Sequence, residues 1–531
     1  MNDTEKHCND KPEEACGVFG TVAPGREVSR LAFFALFALQ HRGQESAGIA
    51  VSDDGHLTAI KDMGLVSQVF NEQMLKSLSG EAAIGHVRYS TTGSTRWANA
   101  QPVCLNRNGH TLALAHNGNI VNTGELREIM APRGIKLTTT SDSELLAALI
   151  ATNEAEDIRD AVAESIPKIK GAFSVVLLSQ GTVVGFRDPW GVRPLCVGKL
   201  DDGNFVLASE SCALDIIGAE FVQEVEPGQM AVLTEGNLEL RQVVEPAERQ
   251  GFCIFEYIYF ARPDSVINGL NVSQARNRMG EELARESLVE ADMVIPIPDT
   301  GTPAAIGFAR ASGVPYGEGL IKNRYVGRTF IQPDQDLRQH GIRVKLNPLA
   351  EAIKGKSLVV VDDSIVRGNT THKIVKMLYD AGATEVHLRI SSPPITHPCF
   401  YGIDTSTSTE LIASEKTVEE IRKQVGADSL EYISLAGLQR AVGRPATDYC
   451  RACFTGNYPV DIPDSLKLCK HRFEQVEQGS RDEKPSGNGG KPKRKQTAAG
   501  REPKQDRSAA GGKRTKKQTA SGKGTEKEPV A

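Results

Sequence analysis

From Cys16 to about Val244, apolar and polar positions alternate in short runs such as ACGVFGTVA, AAIGHVRYS, TLALAHNG and FSVVLLSQ, separated by Gly, Asn and Asp. A two-residue period punctuated by turn residues predicts half-buried antiparallel strands. Two stretches, around Arg30–Gln40 and Ser141–Thr152, follow helical spacing instead. Ser141 with Glu144 three residues on is a capping-box pattern for the second. Strands carrying helices on their faces predict an α+β unit.

After a polar crossing at Glu245–Gly251 the pattern changes. Ala291–Pro298 (ADMVIPIP) and Lys356–Asp363 (KSLVVVDD) are nearly continuous apolar runs, each followed by a turn and a helical stretch. Strands apolar on both faces belong to a parallel sheet covered on both sides, so this half reads as α/β. The helix after the second run is expected over Thr370–Ala381, stopping at Gly382. From about Gln478 the chain is Gly, Lys, Ser, Thr, Gln and Ala without an aromatic residue, and is expected to be disordered. The division expected is therefore a leader at 1–15, a first domain at 16–248, a second at 249–477 and a tail at 478–531. No internal repeat is evident.

Composition sharpens this. A chain of 531 residues exceeds a single core, and its 40% hydrophobic content can fill ordinary ones. No apolar run approaches the ~20 residues of a membrane span. The first fifteen residues are polar and acidic, unlike a secretory signal, so a cytoplasmic protein is expected. The net charge of −5 is uneven. Arg481–Ala531 holds 15 basic and 6 acidic residues, net +9, and the remainder, 47 basic against 61 acidic, carries −14. An acidic body does not suit nucleic acid as its main partner. The ten cysteines (Cys8, Cys16, Cys104, Cys196, Cys212, Cys253, Cys399, Cys450, Cys453 and Cys469) are sparse for a disulfide scaffold and point instead to catalysis or metal binding.

The run VVVDDSIVRGNTT, Val359–Thr371, ends a buried strand in two carboxylates and opens a helix through a Gly-containing loop. Backbone N–H groups there, with Ser364, Thr370 and Thr371, suit an anion. Asp362 and Asp363 repel a bare phosphate and suit ribose hydroxyls or a bridging Mg²⁺. The run resembles the fingerprint of type I phosphoribosyltransferases. That resemblance implies a substrate contact for Ser364, Arg367, Gly368, Asn369, Thr370 and Thr371, although Asn369 departs from the usual RGTTS. It also implies that Asp299, Thr300, Gly301 and Thr302 hold a diphosphate, with Thr300, Asp362 and Asp363 around Mg²⁺. Between these segments lies Ile321–Asn347, long and basic, with Lys322 and Arg324 near its start. On charge alone it is equally a solvated loop or a lid, and the resemblance favours the lid.

A cysteine at a chain's start can pass its thiol proton to its own α-amine, unperturbed pKa about 7.7–8.0. Cleavage between Ala15 and Cys16 would create that arrangement. Taken singly, Arg88 reads as a surface ion pair, Asn117–Gly118 as a hairpin turn and Asp142 as part of a helix start. In order, however, CGVFG, HRGQESAG, GHVRYSTTG, AHNGNIVN and SDSE resemble the class II glutamine amidotransferases, a group of N-terminal-nucleophile hydrolases with an αββα sandwich. The resemblance implies Cys16 as nucleophile, Arg88 on the glutamine α-carboxylate and Asp142 on its α-ammonium. Asn117 and the N–H of Gly118 would form the oxyanion hole.

The two halves together resemble the amidophosphoribosyltransferases from Cys16 to roughly Leu468. The implied reaction takes glutamine, water and phosphoribosyl diphosphate to phosphoribosylamine, diphosphate and glutamate, opening purine synthesis. Homotetramers or homodimers inhibited by purine nucleotides are implied as well. The CRAC segment, Cys450 and Cys453, leaves zinc, an iron–sulfur cluster or a redox pair open by itself. With Cys253 and Cys399 it resembles the subfamily that has a processed leader and a [4Fe–4S] cluster. The tail has no counterpart in the family. Two other functions fit parts of the chain: a regulator sensing phosphoribosyl diphosphate, which would lack the glutaminase residues, and another class II amidotransferase, which would lack Val359–Thr371.

Overall fold

The computed structural model describes residues 16–89, 96–133, 137–323, 345–403 and 411–463. Arg324 and most of the basic loop, Cys8, Cys469, the leader and the tail lie outside them.

The alternating runs become two antiparallel sheets. One has seven strands, ordered Glu220–Glu224, Cys196–Lys199, Phe205–Ala208, Gly17–Val22, Ala82–Arg88, Ser46–Asp53 and His56–Met63. The other has six: Asn237–Gln242, Gln229–Thr234, Thr182–Arg187, Gly171–Ser179, His110–Ile120 and Val103–Arg107. The two-residue period divides each strand between two cores. Val18 joins Ala113, Ala115, Val176 and Leu178 between the sheets. Phe19 faces the other way, toward Ala32, Leu36 and Leu39 around helix Val28–Ala38. Leu112 and Leu114 pack outward on Leu145, Leu149 and Val162 of helices Asp142–Ala151 and Ile158–Ser165. Helix, sheet, sheet, helix is the αββα order expected of the first half.

Ser141 caps its helix by accepting from the Ser143 N–H at 3.2 Å, but the reciprocal half of the expected capping box is absent. Glu144 reaches back instead to the N–H groups of Thr138 and Thr139, at 2.8 and 2.7 Å, and binds their hydroxyls. A loop offering four donors outcompetes one N-cap N–H. Helices Thr123–Met130 and Ile158–Ser165 escaped the sequence reading because two turns hold too few periods to stand out.

In the second half Met293–Pro296, Ser357–Asp362, Glu385–Ile390 and Ser429–Tyr432 form a parallel sheet in that order. Its apolar strands are covered on both faces as expected: Val359 and Val361 enter one core, Leu358 and Val360 the other. The first of those cores also takes in Val121, Ala172 and Val192, so apolar packing runs continuously between the halves. No helix among the described residues is long and apolar enough to cross a membrane.

Candidate active site

Cys16 lies just ahead of strand Gly17–Val22, whose register begins with Gly17 opposite Val87. Arg88 therefore ends the neighbouring strand beside it. The Cys16 thiol donates to the Tyr89 carbonyl at 3.5 Å. Burial pushes this thiol up to about 12, and the charges acting on it include Arg88, Glu45, Asp142 and Arg193. Residues 72 and 126 positions downstream thus act on one sulfur. Arg88 is buried, and its Nη1 donates to Glu45 at 2.5 Å. Asp142 opens helix Asp142–Ala151 and accepts from the Ile120 N–H at 3.0 Å.

Asn117 and Gly118 lie inside strand His110–Ile120 rather than in a turn. Asn117 is 1% exposed, yet neither its Oδ1 nor its Nδ2 has a hydrogen-bond partner. A wholly unsatisfied buried amide costs about 1–3 kcal/mol per group, so its retention calls for a use. Gly118 has φ +145°, and a Cβ there would sit 1.9 Å from the Ala172 carbonyl oxygen, so only glycine fits.

Sequence reading assigned no role to a buried ionic network behind Cys16. Arg42 Nε donates to the Cys16 carbonyl at 3.0 Å. Its other nitrogens donate to Glu210, at 2.5 Å, and to both oxygens of Glu256, at 2.9 and 2.7 Å. Arg193 joins Glu256 at 3.3 Å and donates to the Tyr401 carbonyl at 3.2 and 2.8 Å. His41 Nε2 meets Glu210 at 2.7 Å. Burial alone would raise the Glu210 carboxyl, but His41 and Arg42 hold it well below the usual range. HRGQESAG contains Arg42, but its partners are too distant in sequence for any local pattern to name them.

The second constellation forms where the parallel strands end. Asp362 and Asp363 are both buried. Ser364 donates to Asp363 at 2.6 Å, and the Thr300 hydroxyl donates to its other oxygen. The expected diphosphate turn and acidic pair are therefore joined. Gly301 precedes helix Thr302–Ser312, and a Cβ on it would lie 2.6 Å from the Val361 carbonyl oxygen. Lys322 binds Asp299 at 2.5 Å. Gly368, at φ +80°, leads into helix Asn369–Asp380, which starts one residue earlier than expected. Thr371 and Ser364 are buried there. Arg367 lies in the strand-to-helix turn, Asn369 and Thr370 are the first two residues of that helix, and Thr302 opens the other.

Cys253, Cys399, Cys450 and Cys453, none of them in a disulfide, lie on three segments that backbone bonds draw together. Cys253 pairs in register with Cys450, and the N–H groups of Thr396 and His397 donate to the Cys453 carbonyl at 2.9 and 3.0 Å. Burial raises the Cys453 thiol, and the charges of Cys450, Cys253 and Cys399 raise it further. Among the described residues no three His, Cys, Asp or Glu side chains converge closely enough to hold a metal as they stand.

Comparison with known proteins bears on both constellations. The glutamine amidotransferase domain family matches residues 86–215. An amidophosphoribosyltransferase of Synechococcus elongatus is 53% identical over 472 residues, covering 88% of this chain and 96% of the relative. That of Bacillus subtilis is 48% identical over 85% of this chain and 95% of its own. Among solved structures, an allosteric regulatory enzyme of purine biosynthesis superposes with TM-score 0.81 at 47% identity, covering 86% of this chain and 99% of the other. The B. subtilis glutamine phosphoribosylpyrophosphate amidotransferase, complexed with ADP and GMP, gives TM-score 0.80 at 47% identity over 86% of this chain and 100% of its own.

Proposed function

The chain belongs to the amidophosphoribosyltransferases, glutamine-dependent transferases that catalyse the first step of purine biosynthesis, and on that premise we propose how its own residues divide the work. Cys16, freed by removal of residues 1–15, attacks the glutamine side-chain amide. Its α-amine takes the thiol proton and passes it to the leaving ammonia. A thiol held up to about 12 by burial is almost wholly protonated at neutral pH, so a base within reach is needed. Arg88 holds the substrate α-carboxylate and Asp142 the α-ammonium. Asn117 Nδ2 and the Gly118 N–H receive the oxyanion, and water then releases glutamate from the thioester.

Ammonia attacks C1 of the ribose as diphosphate leaves, forming the C–N bond of phosphoribosylamine. Asp299, Thr300, Gly301 and Thr302 cradle the diphosphate with Lys322 and Arg324. Ser364, Arg367, Gly368, Asn369, Thr370 and Thr371 take the 5-phosphate, and Asp362 and Asp363 take the ribose hydroxyls. Adjacent buried carboxylates joined to the Thr300 hydroxyl suit a hard cation, so Thr300, Asp362 and Asp363 would hold Mg²⁺, which neutralises leaving-group charge. By likeness to that family Cys253, Cys399, Cys450 and Cys453 would hold a [4Fe–4S] cluster, a reading supported by the register that sets Cys253 beside Cys450 and by the charges of the other three that act on Cys453. Neither half-reaction moves electrons, so its role is structural or oxygen-sensing rather than catalytic. By the same likeness the enzyme is a cytoplasmic homotetramer or homodimer inhibited by purine nucleotides, as fits the relative complexed with ADP and GMP.

The observation that carries this division is the Asn117 amide, buried with both polar atoms unpartnered. The test is Cys16→Ala: glutamine-driven synthesis should vanish while ammonia-driven synthesis stays within about twofold. Equal loss of both would refute the division.

A further inference from the structure

Glu256 belongs to the second half of the chain and opens the π-helix Glu256–Phe260, yet its carboxylate is spent on the first half. Both oxygens receive Arg42, at 2.9 and 2.7 Å, in a two-pronged pair. The remaining Arg42 donor, Nε, ends on the carbonyl of Cys16 itself at 3.0 Å. All three side-chain carriers of this charge set besides Glu256, namely Arg42, Arg193 and Glu210, are fully buried, and so is Glu256. Two guanidinium groups and two carboxylates thus meet in the interior, with the partly exposed His41 at the edge of the set on Glu210.

We propose that Glu256 is a positioning residue for the glutaminase nucleophile, acting through Arg42 on the main chain of Cys16. The inference rests on Cys16 being that nucleophile. The strand register begins only at Gly17, so Cys16 lies where the ladder ends, and Arg42 grips its carbonyl. Both reacting groups of the residue, the sulfur and the α-amine, pivot on that main chain. A guanidinium is rigid and planar, so the direction of its Nε–H is set by what holds its other edge. Glu256 grips that edge through both oxygens, and Glu210 adds one contact. The π-helix supplying Glu256 is itself clamped by Arg276, which donates to the carbonyls of Tyr257 and Ala261 at 2.8 and 2.8 Å. A nucleophile contributed by one half is thus oriented by a carboxylate from the other.

Glu256→Gln removes the charge and one acceptor while keeping the shape. Holoenzyme of this variant should lose roughly tenfold or more in kcat for glutamine hydrolysis, as misplacement of a reacting group does. KM for glutamine and ammonia-driven synthesis should each stay within about twofold. Glu256→Asp, which keeps the charge, should recover part of the lost kcat. Unchanged glutamine kcat in Glu256→Gln, or a rise in KM alone, overturns the proposal. Parallel loss of glutamine-driven and ammonia-driven rates also overturns it, because it marks a purely structural residue. If Glu256→Gln does not fold, Arg42→Lys is read by the same criteria, since an ammonium cannot span the three acceptors. Cys16→Ala run alongside separates the two ideas. Should it retain glutamine-driven synthesis, the assignment of the nucleophile fails. Should it behave as expected while Glu256→Gln is silent, only the positioning role fails.

Discussion

Asn119 Nδ2 donates to the carbonyl of Phe400 at 2.8 Å, tying the strand that carries Asn117 to the loop that carries Cys399. Gly402, two residues beyond Phe400, packs so closely that a Cβ on it would lie 3.2 Å from the Gly118 carbonyl. The backbone around the proposed oxyanion hole is therefore braced from the second half. A braced donor costs no reorganisation when charge develops on the substrate oxygen, which is where such donors gain their effect.

Asn117→Ala should accordingly lower kcat for glutamine by about 10²–10³ with little change in KM. Steady-state glutamate release, compared with ammonia-driven synthesis in the same preparation, checks this. A fall confined to KM would place Asn117 in ground-state binding instead.

Asp363→Asn should act on the other chemistry. It weakens the acceptors of Thr300 and Ser364 and removes half of the acidic pair. Synthesis from phosphoribosyl diphosphate should drop on the order of 100-fold with either nitrogen source. Glutamine hydrolysis measured without the sugar substrate should persist.

Acid should destabilise the first half through His86. Burial pushes this imidazole down to about 3, while its Nε2 donates to the His116 carbonyl at 3.0 Å and Nδ1 has no partner. Burial lowers His116 too. Below about pH 6.5 the unfolded chain takes up protons that the folded chain refuses, so stability falls with falling pH until about pH 3. The loss approaches about 1.4 kcal/mol per pH unit per histidine. Denaturant midpoints between pH 7.5 and about 5 should show it, and His86→Asn, with nothing to titrate, should narrow its gap to the parent as pH falls.

Iron and sulfide should co-purify under anaerobic conditions, and Cys450→Ser should remove both and lower the thermal midpoint. Stoichiometric zinc instead would assign the four thiols to a different ion. Intact mass on the same sample should show active enzyme beginning at Cys16, and a retained leader on active enzyme would exclude the α-amine as base.

Local chemistry made much of this protein legible before any folding was considered. A two-residue period along Gly17–Val22 and His110–Ile120 set the antiparallel layers, and the unbroken apolar run before Asp362 set the covered parallel sheet. Motif order named Cys16, Arg88, Asn117, Asp142 and the acidic pair. Such signals survive in sequence because they depend on neighbours a few residues apart. Only the tertiary structure decided that Asn117 sits unpartnered inside a strand, that Glu144 abandons its N-cap for Thr138 and Thr139, and that Glu256 grips Arg42 across 214 residues. A periodic pattern tells which face of an element is buried. It does not tell which distant charge will meet that face, because burial energy is non-directional and an ion pair is not.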